Sequence, residues 1–276
     1  MKGYLINLDS STERLKTFDE RLMALGFQRV SDHPVRWVKG SIEIERLPAV
    51  DGRKMSPEAL ERYRVNKPLF WDWMAHKLTP GEIGCFLSHR KFWEKMLNDG
   101  HEVAFVLEDD MQMAQDILAF WEQSDWVPRD ADFVKLNLFP TDSSNLFPVG
   151  LPVGRVGNRN IVRTMGRIYG TGCYVLTAKA AQRCLNASTV MSLPVDLFMF
   201  DARFDFAPKT VLYTVLPGVA QDDGLTPSSI GGNRNKDSLT LSQHILKGAY
   251  SCMRRFRLKW LMKKYGLHWE HCEYRS

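Results

Sequence analysis

The sequence predicts an α/β fold on a largely parallel sheet. Short apolar runs of strand character recur along the chain, and helical stretches with recognisable caps fall between them. Polar residues gather where the early runs end, which in an open α/β sheet is the ligand-binding edge.

Tyr4, Leu5, Ile6, Asn7 and Leu8 read as a buried strand. Ser10 offers an N-cap, and Glu13 is the third-position partner of a capping box. Leu15, Phe18, Leu22 and Leu25 follow at helical spacing until Gly26 stops the helix. Asn7, Asp9 and Arg14 therefore fall at the carboxyl end of the first strand. Residues 46–50 make a short strand that closes in Asp51 and Gly52. Residues 54–78 read as helix and loop, with an aromatic cluster at Phe70, Trp71 and Trp73. Thr79, Pro80 and Glu82 then form a strong helix start. Ile83, Phe86, Leu87, Trp93, Met96 and Leu97 give that helix an apolar face, and Asn98, Asp99 and Gly100 end it. Residues 103–107 are a second buried strand, which breaks into Glu108, Asp109 and Asp110. Further strands are predicted at 133–138, 173–176 and 211–216, with a helix at 178–185 capped by Thr177. Residues 140–160 and 222–238 read as loops, and no internal repeat is evident.

A chain of 276 residues, 44% hydrophobic and 25% charged, suits one α/β domain with an appended tail. The division expected is a catalytic domain at 1–238 and a basic helical tail at 239–276. A net charge of +5 does not mark a nucleic-acid binder, and no nucleic-acid partner is expected. The charge is uneven: residues 247–264 hold seven Lys or Arg and no acid. With Met253, Phe256, Trp260 and Leu261 near one helical face, the segment reads as a helix lying on anionic lipid, or as a docked helix with a basic rim. Five scattered cysteines without a C-x-x-C pair argue for a reducing compartment and against a zinc site or disulfide framework. No signal peptide and no run of about 20 apolar residues is found. The expectation is a cytoplasmic protein, peripheral on the inner face of the membrane.

Glu108, Asp109 and Asp110 are the sharpest chemical signal. Adjacent carboxylates repel unless a cation sits among them, and oxygen ligands suit Mg²⁺ or Mn²⁺ shared with phosphate. Strand alternation would point Glu108 and Asp110 the same way and Asp109 the other. The alternatives are a solvated acidic turn, or a phosphatase of the aspartyl-phosphate type; Met111 and Gln112 do not suit the latter.

Several motifs occur in a set order: Asn7-Leu8-Asp9 with Arg14, Ala49-Val50-Asp51-Gly52, Gly81-Glu82-Ile83-Gly84-Cys85 through Ser88-His89, Glu108-Asp109-Asp110, Gly170-Thr171-Gly172-Cys173-Tyr174 and Pro194-Val195-Asp196. Together they resemble glycosyltransferase family 25, the lipooligosaccharide-biosynthesis galactosyltransferases, over roughly residues 2–230. The resemblance implies a GT-A-type nucleotide-sugar transferase with a Rossmann-like sheet flanked by helices. It also implies UDP-galactose as donor, a β-linked product formed with inversion, and Mn²⁺ or a similar ion. The acceptor would be a lipid-linked oligosaccharide. Glu108 and Asp110 would hold the metal, with Asp110 essential to catalysis.

Under that reading Asn7, Asp9, Arg14 and Asp109 line the donor pocket, against a turn and a solvated helix residue as the bland alternative. Asp51 and Gly52 lie under the nucleoside, or form a plain Asp-Gly turn. Glu82, Ser88 and His89 form a polar stripe facing the donor, although Glu82 is equally the third residue of a capping box. An inverting transferase needs a carboxylate base for the acceptor hydroxyl. Asp196 is the first candidate, against a role capping a helix; Asp222 and Asp223 are runners-up, as base or added metal ligand. Gln221 and Gly172 are candidates for donor contact. Gly170 and Gly172 serve sheet packing otherwise, and Trp71 and Trp73 stack on acceptor sugars or belong to the core. The rival functions are a metal-dependent phosphohydrolase or nucleotidyltransferase, and a non-catalytic carbohydrate-binding protein.

Overall fold

The computed structural model describes residues 1–63, 78–137, 146–166, 168–202, 204, 206–224, 252, 256, 258–260 and 262–271. The chain opens with β1 (Lys2–Asn7), buried from Gly3 onward as its apolar run requires, and α1 (Thr12–Ala24). The N-cap of α1 is Ser11 rather than Ser10, and its side chain makes no capping bond. Its other end is as predicted. Gly26 takes φ +86°, Gly26 N–H donates to Met23 and Phe27 N–H to Leu22, the paired bonds of a Schellman ending.

β2 (Gln28–Asp32), β3 (Val35–Lys39) and β4 (Ile42–Pro48) follow as an antiparallel run. After α2 (Pro57–Tyr63) comes α3 (Pro80–Asn98), whose Thr79–Glu82 capping box is formed in both directions. β5 (Val103–Glu108) leads through a tight turn into β6 (Met111–Met113) and α4 (Leu118–Glu122). Then come β7 (Phe133–Lys135), β8 (Leu146–Val156), β9 (Arg159–Thr164) and β10 (Cys173–Thr177). α5 (Ala178–Ala187), α6 (Val195–Phe200), β11 (Leu212–Leu216), β12 (Ala220–Asp222) and β13 (His268–His271) follow.

Among the described residues eleven strands form one sheet in the order β13-β8-β9-β11-β7-β10-β5-β1-β4-β3-β2, and β12 pairs with β6 apart from it. The α/β class and the Rossmann-like unit stand: β4, β1 and β5 are parallel neighbours, as are β7 and β11. The sheet as a whole is mixed. β10 enters antiparallel between β5 and β7, and hairpins extend both edges. Much of the stretch read as loop at 140–160 is the β8–β9 hairpin. Pro148, Gly150, Pro152 and Gly154 disguise β8, and the register shifts at Pro152 show how a strand tolerates them: by bulging. At the other end, β13 pairs antiparallel with β8, so the end of the basic tail joins the main sheet.

Strand alternation divides the core between the two faces. Leu5, Phe105 and Leu107 pack with Phe18 and Leu22 of α1 and with Trp121. Tyr4, Ile6 and Val106 pack on the other side, with Phe86 and Trp93 of α3 and Phe200 of α6. The carboxyl ends of β1 and β5 therefore lie side by side between two helical layers, with Ile6 opposite Glu108. Because β10 is antiparallel, the loop before it arrives at the same edge, and the Gly172 carbonyl accepts from Glu108 N–H at 2.8 Å.

Candidate active site

An open cleft lies at this edge, about 550 Å³ when the solvent at its mouth is counted. Its walls include Asn7, Asp51, Cys85, His89, Glu108 and Asp109, so four separate motifs meet there. The last residue of β5, Glu108, accepts from the Thr171 hydroxyl at 2.6 Å and faces His89 Nε2 at 3.3 Å. His89 is fully buried, and its Nδ1 lies 3.0 Å from the Tyr174 hydroxyl, which also accepts from Trp93 Nε1 at 3.1 Å. Trp93 can only donate, so one arrangement satisfies all four groups: Trp93 to Tyr174, Tyr174 to His89 Nδ1, and His89 Nε2–H to Glu108. Burial pushes the Glu108 carboxyl up, but the hydrogen bonds from His89 Nε2–H and the Thr171 hydroxyl outweigh it and hold Glu108 below the usual range.

Asp109 turns toward β1. It accepts from Asn7 Nδ2 at 2.7 Å and from Arg14 Nη1 at 3.1 Å. Arg46 of β4 donates to Asn7 Oδ1 at 2.8 Å and to Asp9 at 2.6 Å, leaving Asp9 itself largely exposed. The same Arg14 nitrogen stands 3.8 Å from Asp110, so Asp109 and Asp110 approach one guanidinium. The alternation expected of the triplet fails because the strand ends at Glu108 and the next two residues are a turn.

Asp110 is the least satisfied of the three. Its Oδ1 is buried with no hydrogen-bond partner among the described residues. Burial, then the charges of Glu108, Asp222 and Asp109, push its carboxyl up to about 8. The β6–β12 pairing sets Asp222 opposite Met111, which brings this fourth acid to the site. Asp223 is engaged elsewhere: its carboxylate pairs with Arg21 at 2.8 Å, while its N–H donates to the Asp110 carbonyl.

Other expected site residues have structural partners. Asp51 caps a 3₁₀ turn at Gly52–Lys54 and binds Arg53, whose hydrogen bond holds the carboxyl below its ordinary value. Gly52 and Gly84 let that turn press on α3. A Cβ on Gly84 would stand 2.5 Å from the Val50 carbonyl oxygen. Ser88 ties the same contact, donating to Gly84 and accepting from Val50 N–H at 2.8 Å. Glu82 is buried in the capping box and is not among the cleft walls. Gly172 admits the Met111 side chain, which a Cβ would strike at 2.4 Å. Gln221 donates to Gln112 across β12–β6. Asp196, in the first turn of α6, accepts from Gly170 N–H at 3.1 Å and from Leu197 N–H at 2.8 Å. Trp71 and Trp73 lie outside the described residues.

Sequence reasoning passed over three contributors. Arg46 organises Asn7 and Asp9, and Cys85 lines the cleft one helical turn before His89. Lys135 is fully buried on β7 and donates to the Tyr169 and Gly170 carbonyls, so it secures the loop that carries Thr171. Burial lowers this lysine to about 7 despite the nearby acids Asp196 and Glu108. A cation inside an otherwise apolar strand was the available signal.

Residues 1–199 match the profile of glycosyltransferase family 25, described as LPS biosynthesis proteins. A glycosyltransferase 25 family member of Aedes aegypti is 36% identical over 111 residues, covering 40% of this chain and 16% of that one. Procollagen galactosyltransferase 2 of Homo sapiens is 27% identical over 193 residues, 66% of this chain and 30% of that one. The lipooligosaccharide biosynthesis protein lex-1 of Haemophilus influenzae is 25% identical over 171 residues, 59% of this chain and 54% of that one. The chain thus spans 16%, 30% and 54% of the length of these relatives.

Proposed function

Because the chain belongs to glycosyltransferase family 25, we propose that it moves galactose from UDP-galactose to a glycan acceptor of lipooligosaccharide or lipopolysaccharide. The reaction would invert the anomeric carbon and leave a β-linkage. One observation carries the reading: Glu108, Asp109, Asp110 and Asp222 converge beside the cleft, and Asp110 keeps a buried oxygen without a partner. The names of the human and Haemophilus relatives favour galactose and a lipooligosaccharide acceptor.

The donor set fits Mn²⁺ or Mg²⁺. Oxygen ligands of like charge, one unpartnered and pushed up by burial and by its acidic neighbours, are what a hard divalent ion neutralises. Glu108 and Asp110 would hold it, with Asp222 as a further ligand. When bound, such an ion offsets the charge that grows on a departing diphosphate, worth several kcal/mol. Asn7 and Asp109 form the adjoining wall, steadied by Arg14 through Asp109, and hold the donor in register. Asp196 is the proposed base: it takes the acceptor hydroxyl proton as that oxygen bonds to the anomeric carbon, and the sugar–phosphate bond breaks with its electron pair leaving on phosphate.

No helix among the described residues is long and apolar enough to cross a membrane. Phe256 and Trp260 are 67% and 59% exposed in the basic tail, beside Lys259, Lys263 and Lys264, which favours contact with an anionic membrane surface where a lipid-linked acceptor resides. The test of the function is product analysis with UDP-galactose, Mn²⁺ and lipooligosaccharide acceptors. Asp110→Asn is expected to lower kcat by about 10³-fold with no fall in melting temperature. Near-normal transfer by that variant, or nucleotide hydrolysis indifferent to acceptor, would defeat the proposal.

A further inference from the structure

Cys85 and His89 are four residues apart on α3 and so share a face, and the end of β5 sets Glu108 against them. The Cys85 sulfur, a His89 ring nitrogen and a Glu108 carboxylate oxygen all lie within 4.8 Å of one another, and all three residues line the cleft. We propose that these side chains form a site for a thiophilic divalent ion of the Zn²⁺ or Co²⁺ class, and that its occupation withdraws Glu108 from the hard-ion site it shares with Asp110.

The ligand set is one thiolate, one imidazole and one carboxylate. Sulfur and nitrogen select Zn²⁺ or Co²⁺ over Mg²⁺ and Mn²⁺, and three protein ligands leave a fourth position facing the cleft. The surroundings are those of a built site. Tyr174, held by Trp93, orients the His89 ring, and the Thr171 hydroxyl orients Glu108. When an ion takes Nε2 the His89 proton moves to Nδ1 and the Tyr174 hydroxyl turns from donor to acceptor there, so binding gives up the arrangement that satisfies all four groups without a metal. The Cys85 thiol proton leaves to solvent as the sulfur coordinates. The missing C-x-x-C pair argued against a zinc site, and the proposal departs from that expectation. Here, however, helix and strand assemble mixed ligands that lie 19 residues apart in sequence from His89 to Glu108.

Binding itself does not depend on the donor chemistry proposed above; only the inhibitory consequence does. The test titrates the full chain, freed of metal, with Co²⁺ alone. A thiolate-to-cobalt charge-transfer band in the near ultraviolet is expected, with visible bands of a four-coordinate ion. Cys85→Ser and Cys85→Ala should abolish the charge-transfer band, and Cys252→Ser, which alters an exposed thiol, should keep it. His89→Gln should weaken Co²⁺ binding by more than about tenfold. In the transfer assay Zn²⁺ should inhibit against Mn²⁺, and Cys85→Ala should relieve the inhibition. No charge-transfer band, or one that survives both Cys85 variants, overturns the inference and leaves the transferase reading intact. A cobalt band in a protein without transferase activity does the reverse.

Discussion

Replacing Tyr174 with Phe tests the buried relay behind Glu108. The ring is fully buried between β5 and β7, so Phe fills the same space and the change isolates the hydroxyl. Two buried groups lose their partner: Trp93 Nε1, at 3.1 Å, and His89 Nδ1, at 3.0 Å. An orphaned buried polar group costs about 1–3 kcal/mol, and the acceptor is the cheaper of the two, so together they should cost ~2–4 kcal/mol. For a chain of this size that is a fall in Tm of roughly 5–15 °C. Urea unfolding followed by tryptophan fluorescence and by circular dichroism measures it. Tyr213→Phe is the matched control, because that hydroxyl meets Asp130 at the protein surface; it should cost under about 1 kcal/mol. A loss below about 0.5 kcal/mol in Tyr174→Phe, or one no larger than in the control, would refute the relay. It would mean that the Trp93 and His89 nitrogens find other partners.

Lys135→Met should change how stability depends on pH. The lysine is lowered to about 7 in the fold by burial, against 10.5 as its ordinary value. Between those values the unfolded chain binds the extra proton. Stability of the parent protein therefore rises with pH above about 7, and the penalty of burying the charge is fully present below it. The parent should gain up to ~1.4 kcal/mol per pH unit relative to the methionine variant between pH 7.5 and 9, and parallel curves would remove the neutral lysine. Gly84→Ala should cost ~1–3 kcal/mol and raise the KM for the donor, since the new methyl meets the Val50 carbonyl at 2.5 Å and displaces the turn that walls the cleft. An unchanged KM and Tm would show that the loop yields freely.

Much of this protein was readable along the chain because the signals are local. The apolar run before Asn7 and the one before Glu108 became adjacent parallel strands, and their ends became one edge. Caps behaved likewise: Thr79 with Glu82, and Gly26 and Gly100 in left-handed conformations, depend only on residues within a turn or two. The same locality explains why Glu82 and Ser88 were hard to assign. A capping residue and a ligand-binding residue look alike until their partners are known.

What tertiary structure alone decided is which distant groups meet. Inserting β10 antiparallel beside β5 brought Thr171 and Tyr174 to Glu108 and His89. Pairing β12 with β6 carried Asp222 to Asp110, while Arg21 took Asp223 away. Strand order and direction depend on packing summed over the whole sheet, which no window of sequence contains. Burial is equally non-local. Lys135 and the unpartnered oxygen of Asp110 acquire their chemistry from the layers closed over them, so residue type announced a charge and only the fold determined how far water was removed from it.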